Sequence, residues 1–127
     1  MKSLRKQKVF ELEKKLANYV GVKECITCAS GTDALLIPLM TQGIGAGDAV
    51  FTTNFSFFAT VEVVSLVGAT PIFVDIDKHT FNINPDLLEK EIKLILKQGT
   101  LKPKAIIAVD LFGNLADYNR IEKIAEK

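Results

Sequence analysis

Apolar and polar residues alternate along the chain in two rhythms. Residues 7–20, QKVFELEKKLANYV, place Leu12, Leu16, Tyr19 and Val20 at helical spacing with lysines and glutamates on the other side, which predicts an amphipathic helix ended by Gly21. KECITC, residues 23–28, alternates polar and apolar side chains and predicts a strand. A helix over 31–42 follows, then a connection containing Gly43, Gly45 and Gly47 and a strand over 48–53. SFFATVEVVSLV predicts a helix over 56–67 closed by Gly68, and ATPIFVDID a strand over 70–75. NPDLLEKEIKLILK opens with Pro85 near a helix start and runs to Lys97; a strand over 104–109 and a helix from 117 onward complete the series.

Strands and helices alternating four times specify an α/β domain with a mainly parallel sheet, flanking helices and right-handed crossovers. No repeat, low-complexity tract or linker divides residues 1–127, which read as one domain. Helices 31–42 and 56–67 are apolar almost all round, with Asp33 and Glu62 nearly their only charges. A helix on the outer face of a lone sheet should show a polar stripe, so a further part of a longer protein or a second subunit is expected to cover them. ADYNRIEKIAEK is an amphipathic helix with no glycine, cap or following strand after it, as expected of the front portion of a larger domain.

Composition narrows the function. With 16 basic and 15 acidic residues the net charge is +1, spread without a basic stripe, so neither nucleic acid nor a membrane surface is an expected partner. No run reaches the roughly 18 apolar residues of a membrane span. The charged start MKSLRKQKVFELEKK is unlike a signal peptide, and a cytoplasmic protein is expected. Cys25 and Cys28 form a C-x-x-C, but an offset of three on a strand points the thiols to opposite faces, and one histidine is too few to complete a metal site. Free thiols fit a reducing compartment. His79, in DKHTFN, reads as a solvated loop residue.

Two strand-to-helix junctions carry candidate chemistry. In an open α/β sheet, ligands bind beyond the carboxyl ends of the strands, where a starting helix offers unpaired N–H groups and the positive end of its dipole. Ser30 and Thr32 offer hydroxyls there, Gly31 admits a close approach, and the amides of Thr32 and Asp33 are donors, a set suited to a phosphate. Plain N-capping accounts for the same residue types, so both readings stand at this point. Neither a Walker loop nor a G-x-G-x-x-G is present. TTNFSFFAT, residues 52–60, adds a possible stacking ring, Phe57 or Phe58, with at most one phenylalanine facing a ligand and the others in the core.

S-G-T-D-A-L at 30–35, G-x-G-x-G-D-x-V at 43–50, F-x-x-x-A-T at 55–60, G-A-x-P-x-F-V-D-I-D at 68–77 and V-x-L-x-G-x-x-A-D at 109–117 are the motifs of a known pattern. From about residue 9 to residue 127 the chain closely resembles the DegT/DnrJ/StrS family of pyridoxal-phosphate-dependent sugar-nucleotide aminotransferases. The resemblance implies an incomplete large domain of the aspartate-aminotransferase type of fold, working as a homodimer. It also implies transfer of an amino group, usually from glutamate, to a keto-sugar nucleotide on the way to polysaccharides, lipopolysaccharide among them, or amino-sugar products. Carried over, Gly31, Thr32 and Asp33, with Ser30 before them, match the turn that holds the cofactor phosphate, and Phe57 matches the aromatic that lies on the pyridine ring.

The chain also departs from the family. The D-A-A-Q aspartate and the lysine motif would lie beyond residue 127, so no catalytic residue is assigned and the chain alone is expected to be inactive. MKSLRKQK replaces the family's usual substrate-contacting segment, and Asn54 stands where proline is common. Pro38 lies inside a helix and should kink it, at about 3 kcal/mol if uncompensated. A dehydratase relative, a non-catalytic phosphate- or partner-binding remnant, and a disrupted gene product are the alternatives.

Overall fold

The centre of the protein is the pentapeptide DAVFT, apolar enough to be covered on both faces, as a parallel sheet requires. In a computed structural model that describes residues 4–127, it forms strand β1, Asp48–Thr52. Met1, Lys2 and Ser3, the start of MKSLRKQK, lie outside the described residues. Before β1 come helix α1, Leu4–Val20, and helix α2, Gly31–Thr41. After it come α3, Ala59–Leu66; β2, Thr70–Phe73; α4, Pro85–Gln98; β3, Lys102–Ile106; a single 3-10 turn, Leu111–Gly113; and α5, Tyr118–Ala125.

All strands run parallel in the order β2-β1-β3, with Ala49 opposite Thr70 on one side and Phe51 opposite Ile106 on the other. The period of two along β1 divides the core. Val50 packs with Leu39, Ile44, Val63, Val64 and Ala69 beneath α2 and α3. Ala49 and Phe51 pack with Val74, Ile83, Leu88, Ile95 and Ile121 beneath α4 and α5. The α/β architecture with a parallel sheet and helices on both faces is as the sequence predicts.

Helix boundaries follow their caps. Asn84 accepts the amides of Asp86 (2.9 Å) and Leu87 (3.3 Å), Pro85 opens α4, and Gly99 closes it at φ 66°. Helix α2 continues through Pro38 to Thr41 without a break, and the Ala34 carbonyl, which loses its donor, sits at an exposed position. Ile37 and Met40 of α2 and Leu66 of α3 stay exposed, so the apolarity of these helices exceeds what the sheet covers.

Residues 23–28 correct the expectation of a strand. Alternation marks an extended preference, but a strand needs a neighbour, and among the described residues none lies beside this segment. It is tied instead to α1, the amide and hydroxyl of Thr27 both donating to Glu13 Oε1 at 2.9 Å, and Ile26 is 84% exposed. Without the strand the argument that Cys25 and Cys28 face opposite ways lapses; both are free thiols. β3 begins at Lys102 rather than 104 because its polar start also pairs, through a bulge. Asp48 and Ala49 oppose Lys102 and Pro103, Val50 opposes Ala105, and Lys104 is left over. Outside β3 runs a groove of about 1030 Å³, flanked by Leu35, Leu39 and Ile44 on one side and Ile121 and Ile124 on the other. No helix among the described residues is long and apolar enough to cross a membrane.

Candidate functional site

The connection after α2 places its start. Gly45 lies against the Val67 carbonyl and Gly68 against the Ala46 amide, so α2 and α3 both finish at the amino end of β1. The two helices pack side by side over Val50, and their first turns therefore point toward the carboxyl end of the sheet.

At the start of α2, Ser30 is extended, φ −154° and ψ 167°, and its Oγ accepts the Asp33 amide at 3.1 Å. Capping thus engages Ser30 and the Asp33 amide together. The amides of Gly31 and Thr32 and the Thr32 hydroxyl meet no acceptor among the described residues. A Cβ added at Gly31 would find nothing within 4 Å, so packing does not demand glycine there; its bareness keeps the amide pair open to approach. Two free donors on a helix dipole, beside a hydroxyl, suit a phosphate. Capping and anion binding are therefore compatible here rather than alternatives. The Cys28 thiol is also exposed, turned to the Ser30 carbonyl at 3.3 Å.

Beyond the carboxyl end of β1 the chain turns at Thr53, whose Oγ1 accepts the Phe55 amide at 3.1 Å. Helix α3 starts three residues later than predicted, because Phe57 and Phe58 supply only carbonyls to its first turn, from Thr60, Val61 and Glu62. Neither ring is in the core: Phe57 is 78% exposed, Phe58 nearly as much, and Phe55 is partly covered by Phe81 with ring centres 5.9 Å apart. The expectation that the other phenylalanines lie in the core is overturned, because α3 begins only after them.

A third loop lies at the same end of the sheet, held by side chains that no spacing pattern in the sequence marks. Asn82, 3% exposed, accepts the Leu111 amide on Oδ1 (3.2 Å) and donates through Nδ2 to the Asn114 carbonyl (2.9 Å). Asn114 Nδ2 in turn donates to the Thr80 carbonyl (3.1 Å), so two asparagines clasp loop 77–84 to loop 110–116. On either side of the clasp stand Phe81 at φ 60° and Phe112 at φ 56°. A bulky residue in that region costs on the order of 1–3 kcal/mol. The V-x-L-x-G-x-x-A-D motif spans this loop, but no pattern of apolar spacing reveals a left-handed phenylalanine. Asp77 caps the loop before the clasp; the Thr80 and His79 amides it accepts hold its carboxyl below the usual range.

The profile of the DegT/DnrJ/EryC1/StrS aminotransferase family matches residues 3–127. The chain is 50% identical over 119 residues to a UDP-2-acetamido-2-deoxy-3-oxo-D-glucuronate aminotransferase of Pseudomonas aeruginosa, covering 94% of this chain and 31% of that protein. It superposes with a TM-score of 0.91 and 59% identity on a DegT DnrJ EryC1 StrS aminotransferase from Brucella abortus, over 93% of this chain and 32% of the other. NtdA from Bacillus subtilis with bound cofactor PMP superposes with a TM-score of 0.84 at 37% identity, over 93% and 26% of the two chains. The chain therefore spans roughly a third or less of the proteins it matches.

Proposed function

This chain belongs to the DegT/DnrJ/EryC1/StrS aminotransferase family, and on that premise we propose that it is the front part of a cytoplasmic, homodimeric enzyme that transfers an amino group from glutamate to a keto-sugar nucleotide. The observation that carries the reading is the start of α2, where Ser30 caps the helix and leaves the Gly31 and Thr32 amides without an acceptor among the described residues. These residues fit the phosphate of pyridoxal phosphate, the cofactor the family implies.

In the proposed site Gly31 and Thr32 hold the phosphate through their amides and the Thr32 hydroxyl, with Ser30 and Asp33 fixing the turn. Phe57, exposed at the neighbouring junction, covers the face of the ring and excludes water. When bound, the cofactor supplies an electron sink at the carbon that gains or loses the amino group. None of the chain's own lysines stands in the family's lysine motif, so the 127 residues alone bind the cofactor weakly and transfer nothing. The exposed apolar residues of α2 and α3 are covered, in this reading, by the rest of the large domain or by the second subunit.

The test is to add pyridoxal phosphate to the chain, reduce with borohydride and map modified lysines by mass spectrometry, with Thr32→Ala and Phe57→Ala in parallel. Binding weakened by both substitutions, scattered substoichiometric labelling and no amino transfer from glutamate are expected. Binding indifferent to Thr32→Ala overturns the phosphate cradle. Stoichiometric labelling of one lysine with measurable transamination shows that the chain has a catalytic amine of its own and overturns the front-part reading.

A further inference from the structure

We propose that Phe112 is a ligand-contacting residue, a flat apolar wall set at the carboxyl end of β3 against one of the rings of a bound sugar nucleotide. This rests on the aminotransferase reading and adds to it a residue that the phosphate cradle and Phe57 do not include.

Among the described residues, the chain takes the left-handed turn conformation at six glycines and at two other residues, Phe81 and Phe112. Glycine makes that turn without steric cost. A phenylalanine there is strained, so the reason for it is sought in the ring. For Phe81 the reason is visible, because its ring packs on Phe55. Phe112 has no such partner: its side chain is 87% exposed, and Gly113 beside it, at φ 80°, already takes the same turn conformation.

The backbone that carries this ring is tied down. The Asn82–Asn114 clasp fixes both ends of the turn, and Asp110 Oδ1 accepts the Ala116 amide at 2.9 Å across it. Its place is also informative. β3 lies next to β1, and past the ladder the Ile107 amide still donates to the Phe51 carbonyl while the Thr52 hydroxyl donates to the Ile107 carbonyl, both at 2.9 Å. The exposed rings of Phe57 and Phe112 thus follow neighbouring strands at the edge of the sheet where open parallel sheets take their ligands. A flat apolar wall accepts either a nucleobase or the C–H face of a hexose, and a sugar nucleotide presents both.

The experiment is titration calorimetry on the intact protein loaded with pyridoxal phosphate, using UDP-N-acetylglucosamine and, separately, UDP. Phe112→Gly is the informative variant, because glycine removes the ring and relieves the backbone. The expected result is a five- to tenfold rise in Kd, on the order of one lost aromatic contact, with Tm unchanged or raised and Phe112→Tyr restoring affinity. A loss seen with UDP as well assigns the wall to the base; a loss confined to the sugar nucleotide assigns it to the hexose. An unchanged Kd in Phe112→Gly, or a lowered Tm with unchanged Kd, shows a ring that only packs against protein and overturns the proposal. A wild-type protein that binds neither ligand overturns this proposal and leaves the aminotransferase reading, which does not fix the nucleotide, in place.

Discussion

The two helical layers on the sheet differ in kind. α4 and α5 turn Leu88, Ile95 and Ile121 inward and carry charges on the other side, although Leu94 and Leu96 also stay exposed, and every ion pair among the described residues lies on α4, on α5 or just after it: Glu89 with Lys93 and Lys127, and Asp86 with Arg120. α2 and α3 bury Leu39, Val63 and Val64 yet leave Ile37, Met40 and Leu66 in contact with solvent. The first layer has the polar stripe of an outer surface; the second has apolar sides in excess of its sheet. The contrast teaches that burial alone does not identify an outer surface, since both layers bury comparable residues and only one is amphipathic.

Four measurements would break or sharpen this contrast. The largest effect is expected at Leu88→Ala, a fully buried side chain of α4, which should lose about 2–5 kcal/mol in urea unfolding. A loss well under 1 kcal/mol there would show that the α4 and α5 layer is not the firmly packed one. Next come the caps, one from each layer. Asn84→Ala removes an acceptor for two amides and Ser30→Ala for one, so losses of about 1–2 and about 1 kcal/mol are expected in that order. The reverse order would mean that the start of α2 is held by more than its cap.

A smaller change in stability, within about 0.5 kcal/mol, is expected from Met40→Glu combined with Leu66→Glu. Sedimentation velocity should nevertheless show less self-association of the 127-residue chain, and unchanged association would remove the claim that these faces seek cover. The smallest effect is that of acid. Asp86 is held below the usual carboxyl range by its hydrogen bond and charge pairing with Arg120, and Glu89 by its bonds to Lys127 and Lys93. Because these folded values are depressed, their contribution is complete above the unfolded carboxyl value of about 4 and fades as pH falls below it. Asp86 is exposed and Glu89 partly so, and the effect is therefore modest and salt-sensitive. Amide protection factors at pH 5 and pH 3 should fall first in α4 and α5; an earlier fall in α2 would reverse the contrast.

Periodicity made α1, α2 and α4 legible because each carries its own signal, from helical spacing to Gly21, Ser30 and Pro85 as punctuation. The parallel sheet was legible from alternation of elements. Residues 23–28 misled because a strand is a relation between two segments, and its alternation says nothing about the partner. The proposed phosphate turn at the start of α2 rests on four residues in sequence order, so the sequence alone suffices to suggest it. Phe112 and the Asn82–Asn114 clasp could not, since they depend on contacts across about thirty residues and on a backbone conformation that phenylalanine disfavours.

The bulge in β3 also bears on colloidal behaviour. A strand edge with open N–H and C=O groups is a template for copying itself, and the flanking groove would otherwise invite that growth. Lys102, Pro103 and Lys104 lie together on this edge; the proline has no amide to offer, and the bulge breaks the even spacing a second edge would match. Two such edges meeting would also bring ammonium groups together. The edge is therefore a gatekeeper that resists its own copies.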